Sequence, residues 1–203
     1  MTNTVKSIIA LEWAMFDLVQ NIGGRAACQE DFVTFRIMRA SQFLAWTQPM
    51  RESYLHDLQQ AREAGRNLME EKYAYMMERT SPTEYAKLRH LLPPREGEKE
   101  LFIHEICLAH VAWLEALQAR YPRLTGRGRP LRKEEDRPGT TSFETYLWGE
   151  LATYSAKTLA LYLAYVAQLH KEGQNLNEMI LQNTARAYGY ASLKAAEQGL
   201  AAR

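Results

Sequence analysis

Ile8-Ile9-Ala10-Leu11-Glu12-Trp13-Ala14-Met15-Phe16 is the stretch on which the reading of this chain turns. Ile8, Leu11, Met15, Leu18, Val19 and Ile22 recur at the three-and-four spacing of one helix face, and Glu12 falls among them. The segment therefore reads as an amphipathic helix with a carboxylate on its buried stripe. An unpaired charge there would cost several kcal/mol or more, so Glu12 must be paired, hydrogen-bonded or protonated. Two roles meet that demand: a structural ion pair with an arginine on a neighbouring helix, or a place in a functional site.

Outward from this stretch the chain is punctuated as helices. The first is expected from about Thr4 to Ile22, stopping at Gly23-Gly24. Gln29-Glu30-Asp31 opens a second that carries Phe32, Phe35, Phe43 and Trp46, and a third starts near Pro49 and ends at Gly65. Asn67-Leu68-Met69-Glu70 and Ser81-Pro82-Thr83-Glu84 read as capping boxes for a fourth and a short fifth, the latter broken by Pro93-Pro94. Glu98 to Arg120 is apolar on most sides and is expected at the centre. Thr141-Ser142-Phe143-Glu144 opens what reads as the longest helix, reaching Leu169 or Lys171 before Gly173. Asn175 caps the last, which runs towards Gly199 with a break at Gly189. With no period-two alternation, the expectation is all-α: a single-domain irregular, orthogonal bundle of seven or eight helices.

One segment interrupts this pattern. Residues 122–140 hold six cations against three anions, together with glycines and prolines, and are expected to form a mobile basic loop without helix.

The totals exclude several classes. The 203 residues are 46% hydrophobic and 24% charged, as in a globular protein, and a net charge of +1 gives no argument for nucleic acid. The longest uncharged apolar run, Thr158 to Gln168, is far short of the roughly 20 residues a membrane-spanning helix needs. Glu12 interrupts the only apolar stretch near the start, so no secretion signal is read and a cytoplasmic location is expected. Cys28 and Cys107 have no metal-ligand or redox spacing and are read as reduced thiols. His104 and His110 are six apart, off the three-or-four spacing of helical ligands, and no Glu-x-x-His pair occurs, so neither metal nor cofactor is expected.

Polar residues on otherwise apolar faces are the candidate site. Arg36 and Arg39 lie within the aromatic face of the second helix, and Glu150 follows Leu147 by three and precedes Tyr154 by four. Gly149 beside it admits a close backbone approach. Glu12, Arg25, Arg36, Arg39, Glu150 and Tyr154 could line an internal pocket for a small anionic metabolite, since arginine forks suit carboxylates and phosphates. The same residues could instead only knit a core, leaving a helical interaction module or homodimer. A cavity would favour the first reading; a filled core with an apolar surface would favour the second.

Glu12-Trp13, Gly23-Gly24-Arg25-Ala26-Ala27-Cys28-Gln29, Gly65-Arg66-Asn67-Leu68 with Glu71-Lys72-Tyr73, and Ser142-Phe143-Glu144-Thr145-Tyr146-Leu147 resemble a bacterial family of unknown function, DUF4125. The resemblance spans most of the chain. It implies a soluble bacterial protein and carries no catalytic assignment.

Overall fold

Thr2, Asp31, Thr47, Asn67, Ser142, Ser155, Asn175 and Ser192 each turn a side-chain oxygen onto a backbone N–H at a helix start, satisfying donors that have no intrahelical partner. In this computed structural model, which describes residues 1–20, 24–95, 97–137 and 139–201, they open eight of eleven helices. These are α1 (Asn3–Asp17), α2 (Phe32–Leu44), α3 (Gln48–Glu63), α4 (Leu68–Thr80), α8 (Phe143–Ala152), α9 (Ala156–Lys171), α10 (Leu176–Ala187) and α11 (Leu193–Gly199). The others are α5 (Pro82–Leu88), α6 (Gly97–Arg120) and α7 (Pro122–Thr125). No strand occurs among the described residues; the one β-bridge pairs Arg137 with Thr140. Gly65 and Gly173 adopt positive φ just beyond α3 and α9. There the N–H of the following residue reaches back to the carbonyls of Ala61 and Leu169, the glycine-dependent helix stop that the sequence announces.

The class is as expected, but seven or eight helices is too few. The segment expected as the longest helix is cut at Tyr154-Ser155. Ser155 is extended and its hydroxyl caps α9, while Asp57 accepts from the Ser155 N–H at 3.1 Å and from the Thr158 hydroxyl at 2.6 Å. A serine that bonds the backbone locally competes with helix continuation, and here a carboxylate from another helix decides the outcome. The longest helix is instead α6, with 24 residues. Near the start the chain parts again from expectation: α1 stops at Asp17 rather than Ile22, and of the expected Gly23-Gly24 stop Gly23 lies outside the described residues. Leu18, read as part of the buried stripe, is 64% exposed. Within 122–140, expected to lack helix, Pro122 starts the single turn α7 and Lys133–Glu135 forms a 3-10 turn. Leu131 is buried there, and Asp136 accepts from the Ser142 N–H at 2.6 Å.

Helix α1 packs on α2, α3 and α4; α8 packs on α4 and α6; α9 on α3 and α6; α10 on α2 and α6. The main core is contiguous across α1–α4, α6 and α8–α10, and a smaller cluster of Ala185, Leu193 and Ala196 gathers α7 and α11. At the crossing of α8 with α4, Gly149 is indispensable: a Cβ there would lie 2.5 Å from Met76 Cγ and 2.8 Å from the Lys72 carbonyl oxygen. That approach brings Lys72 to Glu150. Gly149→Ala is therefore expected to destabilise the fold by about 1–3 kcal/mol through overpacking, read as a lowered urea midpoint. A midpoint equal to that of the parent would show that the crossing is not tight.

Candidate functional site

Four helices each deliver one charged side chain to a single buried point. Glu12 (α1), Arg39 (α2), Lys72 (α4) and Glu150 (α8) are at most 9% exposed. Glu12 accepts from Arg39 Nε at 2.7 Å, pairs with Arg39 Nη2 through its other oxygen, and accepts from the Tyr54 hydroxyl at 2.8 Å. Arg39 Nη1 donates to Glu150 at 3.1 Å and to Gln42 Oε1 at 2.8 Å. Glu150 also accepts from Lys72 Nζ at 2.6 Å, Gln42 Nε2 at 2.9 Å and the Tyr154 hydroxyl at 2.8 Å. Two acids and two bases sum to zero, so the group is burial-tolerant only as a whole.

The electrostatics follow. Burial opposes the charge on Arg39 and on Lys72, but the facing carboxylates outweigh it and hold both pKa values above their ordinary ranges. Burial likewise resists ionisation of Glu150, yet Arg39 and Lys72 hold its carboxyl well below the usual range. Tyr54 and Tyr154 are pushed far up, first by burial and then by the adjacent carboxylates, and stay neutral donors. Beneath them Phe43, Trp46, Tyr54, Tyr154 and Tyr162 pack ring against ring, with Tyr54 and Tyr154 centroids 4.7 Å apart.

Of the six residues expected to converge, the structure joins Glu12, Arg39, Glu150 and Tyr154 and separates the other two. Arg25 lies at the surface, pairing with Asp17 and Glu30 and donating to the Asp17 and Gln29 carbonyls at 3.0 Å. With buried Gln29, whose Nε2 donates to the Phe16 and Val19 carbonyls, it fastens the end of α1 to the start of α2. Arg36 is exposed on α2, and it is Arg39, three residues on, that meets Glu12. Three members of the cluster escaped the sequence reading: Lys72, Tyr54 and Gln42. Lys72 was legible in principle, since Leu68, Met69, Tyr75 and Met76 mark a buried stripe that passes through it.

A second buried polar group lies on α6. His110 Nδ1 is 2.6 Å from Asn177 Oδ1, an oxygen that can only accept, while the Asn177 amide donates to the His110 carbonyl at 2.8 Å. The proton must then sit on Nδ1, leaving Nε2 to accept from the Tyr162 hydroxyl at 2.9 Å. Burial lowers the His110 pKa from 6.5 to about 4, so the ring is neutral. Cys28 is exposed and Cys107 buried, both as free thiols, and burial pushes the Cys107 pKa up to about 12.

Two surface clefts, of about 410 and 390 Å³, lie elsewhere. One lies beside Tyr75, Tyr85, Arg89 and Arg95, the other beside Arg79 and Lys133. Neither is lined by a member of the buried cluster. Among the described residues no three or more His, Cys, Asp or Glu side chains are placed to hold a metal ion. Nor, among the described residues, is any helix long and apolar enough to cross a membrane.

The family model described as "Protein of unknown function (DUF4125)" matches residues 2–198. The chain belongs to the DUF4125 family. Comparison of this DUF4125 protein with curated proteins and with solved structures finds no match. Its family strings now have physical roles: Gly24 to Gln29 contributes the α1–α2 fastening, Gly65 to Leu68 the α3 stop and α4 cap, and Ser142 to Leu147 the α8 start.

Removing one member of the cluster leaves its partners charged and buried. Glu12→Ala is expected to destabilise by about 3–5 kcal/mol in chemical denaturation, and a loss below about 1 kcal/mol would refute the pairing as drawn. His110 gives a pH signature. Its folded pKa lies below the unfolded value, so the unfolded chain takes the proton first; stability is full above pH 6.5 and falls as pH drops towards about 4, by about 3 kcal/mol. His110→Phe should flatten that part of the stability–pH curve, and an unchanged slope would exclude His110 as its source.

Proposed function

We propose that this DUF4125 protein works through its surface, as a helical protein–protein interaction module, and that the buried cluster serves to hold the helices in place. The small-anion reading rests on arginines with donors to spare. Arg39, the one arginine in the cluster, gives its donors to Glu12, Glu150 and Gln42, and Arg25 and Arg36 stand outside it.

The observation that carries the module reading is the back of α6. Its inner side buries Ile103, Ile106, His110 and Leu117. On the opposite side, at 100° per residue, Leu101, Leu108, Ala112 and Ala119 fall within about 20° of one line. All four are exposed, Leu101 by 67% and Leu108 by 53%. A helix apolar on both sides is normally covered on both sides, and an apolar strip along a helix some 36 Å long is a docking surface for another helix.

A photo-crosslinking amino acid at position 108, in the protein expressed in its own cells, tests this. An adduct of defined mass from position 108, with none from exposed position 36, is expected. No adduct from 108 under conditions where the protein is abundant would remove the reading.

A further inference from the structure

The strip on α6 is patterned for itself. Leu101 and Ala119 are equidistant from residue 110, and so are Leu108 and Ala112. If a second copy of α6 is laid antiparallel across the first about a twofold axis level with residue 110, Leu101 of each copy falls opposite Ala119 of the other. Leu108 then falls opposite Ala112. Large side chains meet small ones along the whole contact, as ridges meet grooves in close helix packing.

Polar groups on the flanks come close to the same registry. His104 and Glu115 lie on one flank of the strip, and the axis brings His104 of one copy beside Glu115 of the other. Glu98 and Arg120 lie towards the opposite flank and come within two residues, about 3 Å along the axis, of each other's level. Glu115 pairs with Arg132 at 2.6 Å, and Arg120 with Glu178 at 2.7 Å, at the surface beside the strip. Glu105 and Glu115 come to the same level across the axis, on opposite flanks of the strip. A heterologous partner would require none of this mirrored placement.

We infer that the partner of this face is a second copy of the chain, packed antiparallel through the outer strip of α6 about a twofold axis level with residue 110. The inference rests on the module reading and names its occupant. A single helix pair buries less than a standard interface, so the association is of roughly micromolar strength.

The test is light scattering on the purified protein from low to hundreds of micromolar, with cysteine pairing to read the register. A mass rising towards twice the 23.4 kDa of the chain is expected. Leu101→Glu with Leu108→Glu should weaken it at least tenfold while helicity and melting temperature stay those of the parent, because neither leucine is part of the core. In a Cys28→Ser background, a mixture of Leu108→Cys and Ala112→Cys proteins should form the mixed disulfide in preference to either symmetric one. A protein that stays monomeric at hundreds of micromolar overturns the inference. In that case a position-108 adduct to a different protein leaves the module reading standing, whereas no adduct removes both. A dimer indifferent to the two glutamates, or one that favours symmetric disulfides, also overturns the inference.

Discussion

Arg39 bridging two carboxylates is the interaction on which the arrangement of helices depends. A guanidinium carries five N–H donors in a rigid fork, and here they are spread over Glu12, Glu150 and Gln42. The geometry fixes α2 against both α1 and α8 at once. Lys72 then closes the set, since Glu150 facing Arg39 shares it with Glu12, and the fourth charge comes from α4 only because Gly149 lets that helix in. An ion cluster of this kind contributes less to stability than an equally well-packed apolar group would. Its geometric demand is specific, because the bonds of Arg39 and Glu150 are made only where α1, α2, α4 and α8 meet.

Three helix starts are held by a related device. Carboxylates from outside each helix sit on helix N-termini: Asp57 on α9, Asp136 on α8, and Glu197 on α7, where it accepts from the Arg123 and Leu124 N–H groups at 2.9 and 2.8 Å. Each satisfies orphan donors and faces the positive end of a helix dipole. A four-residue helix such as α7 has no stability of its own, so its existence is a statement about Glu197.

What could be read from the chain divides along the same line. Local signals were legible: the caps at Asn67, Ser142 and Asn175, the stops at Gly65 and Gly173, and the buried place of Glu12 among aliphatics. Signals that need a second helix were not. Nothing around Ser155 says that Asp57 will favour a helix start there, so one long helix was read where two exist. Arg36 and Arg39 are equivalent by composition, and a rotation of the helix separates the exposed one from the buried one. Lys72 was passed over because lysine on an apolar stripe usually reaches solvent by its long stem, and here Tyr146, with its ring 3.7 Å from the ammonium, closes the way out.

The zero sum of the buried cluster constrains how this chain can vary. A change of charge at any one of Glu12, Arg39, Lys72 or Glu150 leaves a net charge in a dry core, whereas a compensating change at a second position does not. Drift at these four sites must therefore pass in neutral pairs, Glu150 with Lys72 or Glu12 with Arg39, and each pair is separated by a barrier that single substitutions cross only at a loss of folded protein. The four positions form one electrostatic unit, spread over 139 residues of sequence from Glu12 to Glu150.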